Sequence, residues 1–445
     1  MGEITPPLFS KAMQLSRYIK TYTYEDDPDY LVLYSTRRAS TILLPKTALE
    51  QIEKGELEPS DRKILSELGF LVSDRDEEIR EMQGLIDDIN KRARRFNAIV
   101  VMNLDCNLRC TYCYEGNMKG KHYMSTETLG LLTDFLEKHA LSQGKDVHVD
   151  FYGGEPLLSF DDITRVSKRL KSLSEGRGLT YSFNLVTNGT LLTRARAKKL
   201  AALGMKSAKI TLDGPKDNHN SFRPFKSGSG TFETIVKNIK EVYDILSIQI
   251  GGNYTEENYT SFPELLDYLI AEGLSPEKFL IVKFDPVVKP GGRFALPEFR
   301  DGSESINEPW IFKATLFLRE EILKRGFKTP KILPAPCMIG LTNDVVVSYD
   351  GTIYKCPGFI GWEGFAAGNL REGLFEIHES HALDVWKNGQ CLDCEYLPLC
   401  FGGCRFMKVL RDGNIHETDC KKPYLDATLE TLVGQDIKYM PETGD

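Results

Sequence analysis

The cysteines of this 445-residue chain are the side chains whose type and spacing most clearly indicate chemistry. All ten fall into a C-x3-C-x2-C triplet and a set of seven near the C-terminus: Cys106, Cys110 and Cys113, then Cys337, Cys356, Cys391, Cys394, Cys400, Cys404 and Cys420. Thiolates at short, fixed spacing can converge on a metal or an iron–sulfur cluster. Three ligands predict a cluster with one iron left open, and seven predict one complete and one incomplete cluster. A chain with up to three clusters is expected to transfer electrons.

The composition is that of an ordinary globular protein. The net charge is −8 and no basic stripe stands out, so a nucleic-acid partner is not favoured. The first thirty residues lack the pattern of a signal peptide, and the longest apolar stretches, such as Ala98–Met102, are too short to span a bilayer. We therefore expect a cytoplasmic protein with no membrane partner. Disulfides are disfavoured in that compartment, which favours metal ligation.

The elements that must position the triplet are apolar strands and amphipathic helices that alternate from Phe96 to about Val288. The predicted strands are Ala98–Leu104, Val147–Tyr152, Tyr181–Val186, Ser207–Leu212, Ser247–Gly251 and Phe279–Phe284. The predicted helices are Ser125–His139, Asp161–Ser174, Thr193–Leu203, Phe232–Leu246 and Ser261–Ala271. This alternation predicts parallel strands with right-handed crossovers. Its length suits an α/β fold, a partial (β/α)6 barrel, with catalytic groups at the C-terminal strand ends.

The triplet follows the first of these strands, and Tyr112 precedes its third cysteine. This resembles the signature of the radical S-adenosylmethionine (radical SAM) enzymes, and the resemblance covers roughly Phe96 to Val288. It implies that three thiolates hold three irons of a 4Fe–4S cluster and that the fourth iron chelates S-adenosylmethionine (SAM). One electron then releases a 5′-deoxyadenosyl radical, which takes a hydrogen atom from substrate. The alternatives are a zinc knuckle, although no histidine obviously completes it, and three unrelated buried cysteines.

Later motifs agree with this resemblance. The turn Gly153-Gly154-Glu155 resembles the family's GGE motif, which contacts the methionyl amine, because two glycines let a backbone edge approach a ligand. Asn184, by the same resemblance, is a candidate for the ribose or carboxylate of SAM. An inward polar residue that only satisfies its neighbours is the alternative for Asn184.

Three further candidates follow the fourth and fifth strands. Arg223, in a segment that resembles the next family motif, is expected to pair with a carboxylate, unless it is a surface arginine. Asn253, just past the fifth strand, is a candidate of the same kind. Asp213 or another carboxylate is a candidate to take up the proton that accompanies substrate oxidation.

The seven C-terminal cysteines resemble the SPASM domain, including a glycine, Gly351, five residues before the second of them. The resemblance implies two auxiliary 4Fe–4S clusters, and therefore three clusters in the whole chain. The outer cluster would be fully ligated by four cysteines, namely Cys391, Cys394, Cys400 and Cys420. The inner cluster would have three cysteine ligands, Cys337, Cys356 and Cys404, and would lack a fourth. The missing ligand could be water, another side chain or a substrate thiolate. A zinc-ribbon-like domain is the alternative.

The first seventy residues predict a small winged-helix-like module. Strands at Tyr30–Ser35 and Arg38–Leu44 precede helices at Lys46–Lys54 and Glu58–Leu68. This resembles the peptide-recognition element of enzymes that modify ribosomally made peptides, which binds a leader peptide as an added strand. A nucleic-acid-binding winged helix is disfavoured because the segment Glu50–Glu58 is acidic, and an incidental packing domain is the other alternative.

These patterns predict four regions: a recognition module at 14–75, a linker helix at 76–95, the radical SAM barrel at 96–305, and a bridging helix with the SPASM domain at 306–445. A loop is expected from Gly291 to Ser305, and little regular structure beyond Pro334 apart from one hairpin.

This order resembles radical SAM peptide maturases, and Ser35–Ala39 followed by Leu43-Leu-Pro45 is similar to the geopeptide maturases. The expected function is modification of a precursor peptide that carries a leader, by a thioether crosslink, with a carbon–carbon link or an epimerisation left open. A ferredoxin or flavodoxin would donate the electrons. The alternatives are a sulfatase-maturase-like protein oxidase and a non-catalytic, metal-stabilised peptide-binding protein.

Overall fold

The computed structural model describes residues 13–289 and 301–439. The chain before residue 13 and most of the predicted loop from Gly291 to Ser305 lie outside the described residues. The N-terminal region comprises five strands and three helices: β1 (Gln14–Leu15), β2 (Ile19–Thr23), β3 (Tyr30–Ser35), β4 (Thr41–Pro45), α1 (Lys46–Lys54), α2 (Pro59–Glu67), β5 (Leu71–Val72) and α3 (Arg75–Arg92).

The module is built on the antiparallel sheet β2–β3–β4, and β1 pairs separately with β5. Its core packs one face of the sheet against α1 and α2 through Leu33, Leu44, Ile52, Leu65 and Phe70. The charged segment expected to be a linker forms α3, which begins at the side-chain cap of Asp74. The module therefore combines a three-stranded sheet, a separate two-stranded pair and three helices.

The barrel follows, and the six predicted strands and five predicted helices are confirmed with small shifts at their ends. The elements are β6 (Arg95–Val101), α4 (Thr126–His139), β7 (Asp146–Tyr152), α5 (Phe160–Glu175), β8 (Tyr181–Thr187), α6 (Arg194–Ala202), β9 (Met205–Thr211), α7 (Lys216–Phe222), α8 (Phe232–Val242), β10 (Ser247–Tyr254), α9 (Phe262–Ala271) and β11 (Phe279–Pro286). The strands are parallel and lie in chain order from β6 to β11. The short helix α7 was not predicted.

Successive side chains of each barrel strand point to opposite faces of the sheet. One face packs against the helices and forms the hydrophobic core, and the other lines the barrel interior. In β7, Val147, Val149 and Phe151 are buried among the helices, whereas His148 and Asp150 point to the other face. Because all six strands are parallel, their C-terminal ends meet at one edge of the sheet. That edge carries the triplet and the candidate residues that follow the later strands.

The C-terminal region is more regular than expected. It comprises α10 (Pro309–Lys324), β12 (Asp344–Val347), β13 (Thr352–Tyr354), β14 (Gly368–Asn369), β15 (Gly373–Leu374), α11 (Gly389–Leu392), α12 (Leu397–Cys400), α13 (Arg405–Asp412) and α14 (Lys422–Lys438). The predicted hairpin is β12–β13, and β12 also pairs in parallel with β6, so that it extends the barrel sheet. The expectation of little regular structure was wrong for α13 and α14, because α14 is stabilised by packing on α10 rather than by a local signal.

The N-terminal module packs directly on this region. Val32 and Tyr34 of β3 are buried against Leu425 and Leu429 of α14. Across the described parts of the chain, no helix combines the length and apolar character that crossing a membrane requires.

Candidate active site

The triplet cysteines are gathered at the C-terminal end of β6. Cys106 and Cys110 are buried and Cys113 is partly buried, and the three form one group with Leu108 and Phe225. The loop that carries them therefore offers three thiols in a single apolar setting. This is the setting in which a cluster with one open iron would be shielded from water.

Backbone hydrogen bonds hold this triplet loop against the chain that follows α7. The amides of Arg109 and Thr111 donate to the carbonyl oxygens of Pro224 and Phe222 at 2.9 and 3.0 Å. The amide of Lys226 donates in return to the carbonyl of Asn107 at 3.0 Å. The ligand loop is thus positioned by a segment more than one hundred residues away in the sequence.

The two glycines of the GGE motif fit tightly against the same loop. A β-carbon on Gly153 would lie 2.3 Å from the carbonyl oxygen of Asn103, and one on Gly154 would lie 2.2 Å from that of Asp105. The amides of Gly154 and Glu155 donate to those same oxygens at 3.0 and 2.8 Å. The glycines therefore let the end of β7 contact the triplet loop, and these two amides already have partners within the protein.

Glu155 points away from the site. Its carboxylate is fully buried and accepts hydrogen bonds from the amide of Asn188 at 2.8 Å, the amide of Leu157 at 2.9 Å and the hydroxyl of Thr187. Burial raises its pKa, and these donors oppose that rise. Glu155 fixes the turn after β8, which in turn places Asn188 beside Cys106.

Four of the candidate residues share one hydrogen-bonded network. The hydroxyl of Tyr112 donates to Oδ2 of Asp213 and accepts from Nη1 of Arg223 at 2.7 Å and Nδ2 of Asn253 at 3.0 Å. Oδ1 of Asp213 accepts from the backbone amide of Asn253 at 2.7 Å. Tyr112 therefore connects the triplet loop to the ends of β9 and β10.

Asp213 is the internal anchor of this network. Its side chain is fully buried, and burial raises its pKa although Arg223 and the Tyr112 hydroxyl lower it. The guanidinium of Arg223 lies 3.8 Å from the Asp213 carboxylate and its side chain is only 12% exposed, so Arg223 is not a surface arginine. Since both carboxylate oxygens of Asp213 are engaged, the geometry favours a positioning role over contact with substrate.

A buried histidine supports the same network from behind. Nδ1 of His219 accepts from the amide of Asp213 at 3.1 Å, and Nε2 lies 2.9 Å from the hydroxyl of Thr231. That hydroxyl donates to the carbonyl of Arg223 at 2.8 Å, so the imidazole is neutral with its proton on Nε2. Burial and the charge of Arg223 lower its pKa well below the ordinary value.

Asn184 lies apart from this network, deeper in the barrel. Nδ2 of Asn184 donates to Oδ1 of Asp150 at 3.0 Å and lies 2.9 Å from Nε2 of His148, while its oxygen accepts from the hydroxyl of Ser207 at 2.9 Å. These contacts tie β7, β8 and β9 together across the barrel interior. The arrangement is the one in which Asn184 satisfies its neighbours.

Lys119 lies beside the triplet, where its side chain interacts with all three cysteines and hydrogen-bonds to Cys113. Burial lowers its pKa, but the three thiolates outweigh burial and raise it above the ordinary range. Burial also raises the pKa of Cys106, and that of Cys113 to about 11. Metal binding, which takes up thiolates, must therefore displace the protons that burial favours on Cys106 and Cys113. No motif predicted Lys119, because its role depends on how the short turn after Cys113 folds back.

The seven C-terminal cysteines separate in space into the expected four and three. A cavity of about 290 Å³ is lined by all four outer cysteines, Cys391, Cys394, Cys400 and Cys420. The inner three interact electrostatically with one another, and burial raises the pKa of Cys356 to about 12. Cys337 and Cys356 also pack against a hydrophobic cluster that includes Val101 and Leu104, so this cluster links the inner group to the end of β6.

The spacing of these thiols bears on the kind of metal they suit. Within residues 13–289 and 301–439, no three His, Cys, Asp or Glu side chains are placed to hold a single metal ion. A zinc site needs four ligands around one ion, whereas the cysteines of a cluster bind different irons and lie farther apart. The thiols are grouped as three, four and three, and groups of this size fit iron–sulfur clusters.

Comparison with known proteins places the barrel in a family. Residues 100–269 match the model of the Radical SAM superfamily. The chain is 31% identical over 272 residues to an uncharacterized protein of Methanocaldococcus jannaschii, covering 60% of this chain and 86% of that protein. It is 25% identical over 331 residues to the cysteine-type anaerobic sulfatase-maturating enzyme of Clostridium perfringens, covering 67% of this chain and 86% of that enzyme.

A solved structure extends the likeness of the fold to nearly the whole chain. The crystal structure of Streptococcus suis SuiB bound to precursor peptide SuiA matches with a TM-score of 0.52 and 16% identity. The match covers 92% of this chain and 99% of that one. It therefore includes the N-terminal and C-terminal regions as well as the barrel.

Proposed function

Because this chain belongs to the radical SAM superfamily, we propose that it is a peptide maturase that cleaves SAM reductively and forms a thioether crosslink in a ribosomally made precursor peptide. The observation that carries the proposal is the meeting of the triplet with the network around Tyr112 at one edge of the barrel. When bound, a 4Fe–4S cluster and SAM would supply one-electron cleavage and hydrogen-atom abstraction. The protein supplies ligands, orientation and shielding from water.

The residues at this edge have distinct roles in the proposal. Cys106, Cys110 and Cys113 hold the cluster, and Leu108 and Phe225 exclude water around it. Arg223 supplies a positive charge for the SAM carboxylate, and Asp213 and Asn253 hold the guanidinium and the Tyr112 hydroxyl in place. Asn184 keeps the barrel interior in register instead of contacting SAM.

The C-terminal cysteines extend the proposal to two auxiliary clusters. Oxidising a peptide to a thioether leaves an electron to be removed after the hydrogen atom has been taken. The inner three cysteines adjoin the end of β6 and the outer four line a separate cavity. An electron could therefore pass from the barrel to the inner and then the outer cluster. A ferredoxin or flavodoxin is the expected external partner.

The N-terminal module is proposed to bind the leader of the precursor. β4 ends the module's sheet, and within the described residues only β3 pairs with it. Leu43, on this strand, is 42% exposed. An exposed strand edge is a site for an added peptide strand, with main-chain hydrogen bonds for affinity and side-chain contacts for specificity.

The test of this function is anaerobic reconstitution with iron and sulfide, followed by iron counting and detection of 5′-deoxyadenosine with a strong reductant. We expect iron for more than one cluster and reductant-dependent 5′-deoxyadenosine. Cys110→Ala should abolish 5′-deoxyadenosine while retaining the auxiliary iron. Cys391→Ala is the matched control, since it should lose iron from the outer site and keep the triplet site. Absence of both cluster iron and 5′-deoxyadenosine would leave the non-catalytic alternative.

The second candidate is a sulfatase-maturase-like protein oxidase. It is favoured by the 25% identity to the Clostridium perfringens enzyme over most of that enzyme's length. The two candidates differ in their need for the N-terminal module. Equal turnover of a precursor with its leader and of the same peptide without it would contradict the leader-binding role and favour this candidate.

A further inference from the structure

Arg405 stands between the two groups of C-terminal cysteines. It is the first residue of α13, directly after the inner ligand Cys404, and it is 4% exposed. The loop from Cys400 to Cys404 joins an outer cysteine to an inner one. Arg405 is thus buried at the point where the two proposed sites are closest in the sequence.

The loop is shaped to hold the guanidinium. Nη1 of Arg405 donates to the carbonyl oxygens of Phe401 and Gly403 at 3.1 and 3.0 Å. Phe401, Gly402 and Gly403 all have positive φ, at 45°, 76° and 80°. Gly403 cannot carry a side chain, because a β-carbon there would lie 1.7 Å from the carbonyl oxygen of Asp419. The backbone therefore accepts a conformation that L residues avoid, and its carbonyls meet at one guanidinium nitrogen.

Cysteines of both groups lie close enough to the guanidinium to interact with it electrostatically. Nε of Arg405 is buried and has no hydrogen-bond partner. Among the described residues, Arg405 forms no ion pair with a carboxylate, and its electrostatic neighbours are Cys337 and Cys404 of the inner group and Cys391 and Cys400 of the outer group. A buried, uncompensated cation is costly, so the position makes sense when negative charge is nearby.

We propose that Arg405 is a positioning residue shared by both auxiliary clusters, and that its charge stabilises their reduced states. The inference rests on the proposed function, since it requires both clusters. A 4Fe–4S cluster with thiolate ligands becomes more negative when it gains an electron. A permanent positive charge in a buried site favours that state, and one charge between two clusters favours it in both.

The test measures the reduction midpoint potential of each auxiliary cluster. The full chain is titrated anaerobically, and electron paramagnetic resonance monitors the reduced clusters. Arg405→Met should shift both auxiliary midpoints to more negative potential, by at least a tenfold change in equilibrium constant, about 59 mV for one electron. Arg405→Lys keeps the charge and should stay close to wild type. Arg319→Met is the matched control: Arg319 is also buried, with an unpartnered Nε, but pairs with Asp436. It should leave every midpoint unchanged.

Each outcome decides the inference. Unchanged midpoints in Arg405→Met with full iron content, or a shift in only one cluster, would overturn the shared role while leaving the proposed function intact. If Arg405→Met loses auxiliary iron, the Arg405→Lys variant decides between charge and packing. Retained iron with wild-type midpoints in Arg405→Lys supports the role of the charge. Loss of iron in Arg405→Lys as well overturns that role in favour of simple packing. Wild-type protein with iron for one cluster only would contradict the auxiliary clusters themselves, and this inference with them.

Discussion

Nη1 of Arg223 donates a 2.7 Å hydrogen bond to the hydroxyl of Tyr112, a residue 111 positions earlier in the chain. The same hydroxyl donates to Asp213 and accepts from Asn253. One aromatic side chain of the ligand loop therefore fixes the orientation of a cation at the end of α7 and of a carboxylate and an amide at the ends of β9 and β10. The edge of the barrel where SAM is proposed to bind is organised around this hydroxyl.

Removing the hydroxyl should weaken SAM binding without removing the cluster. In Tyr112→Phe the buried groups of Asp213 and Arg223 lose a partner, which costs about 1–3 kcal/mol, so we expect roughly a tenfold or larger loss of SAM affinity. Equilibrium dialysis against labelled SAM measures the affinity, and iron content should be unchanged. Tyr243→Phe, at a half-exposed barrel position, is the control. An unaltered affinity in Tyr112→Phe would contradict the role of the network.

A methyl group at Gly154 should displace the triplet loop. The new β-carbon would meet the backbone oxygen of Asp105 at 2.2 Å, and backbone cannot rotate away as a side chain can. We expect a loss of about 1–3 kcal/mol in stability and reduced iron at the triplet site. Gly130→Ala is the matched control, because Gly130 lies in α4 with open space around it and should become more stable by about 0.5–1 kcal/mol. Thermal unfolding and iron counting test both variants, and equal behaviour would refute the packing role of Gly154.

A charge on the exposed edge strand should impair leader binding. Leu43→Glu places a carboxylate where the leader is proposed to dock, and we expect at least a tenfold increase in the dissociation constant of a leader peptide. Leu280→Glu is the matched control, because Leu280 is 48% exposed on β11, the edge strand of the barrel sheet. This variant should leave leader binding unchanged. Fluorescence anisotropy of a labelled leader gives both constants. If the two variants bind alike, the leader docks elsewhere.

Stability should fall in mild acid because His219 is buried and neutral. Its pKa lies well below the ordinary 6.5 through burial and the charge of Arg223. The unfolded chain therefore takes up a proton as pH falls through about 6.5 while the folded chain does not, so this contribution is present above that pH and is lost below it. The loss is at most about 1.4 kcal/mol per pH unit.

Urea unfolding between pH 5.5 and 7.5 measures that slope. His219→Gln, which does not titrate, should show a shallower fall in the free energy of unfolding than wild type below pH 6.5. The exposed His416→Gln is the control and should follow wild type. Parallel curves for wild type and His219→Gln would mean that His219 is not held neutral.

Much of the barrel could be predicted because its signals are local. The alternation of apolar strands and amphipathic helices located β6 to β11 to within a few residues, since each element's periodicity lies within its own segment. The parallel pairing of β12 with β6 and the long helix α14 were not predicted. Both depend on partners more than one hundred residues away, which no local pattern encodes.

The candidate site likewise has features that local sequence predicts and features that depend on the surrounding fold. The type of each ligand followed from the cysteine spacing, and the four-plus-three grouping of the C-terminal cysteines was implied by the resemblance to the SPASM domain. The structure places the outer four around one cavity. The role of Glu155 could not be predicted, and no local pattern could choose between the two roles left open for Asn184, because the direction of a side chain depends on the fold around it. Glu155 is buried under the turn after β8, and Asn184 bonds across the barrel interior.

By itself, the sequence determined the chemistry available to this protein, since ten thiols at fixed spacing and the order of the elements are written along the chain. Only the tertiary structure decided how the chemistry is positioned. It brought Asp213, Arg223 and Asn253 to the hydroxyl of Tyr112, and it buried Arg405 where cysteines of both groups interact with its charge. The physical reason is that burial and hydrogen-bond partnership belong to residues that meet in space, and these residues are far apart in sequence.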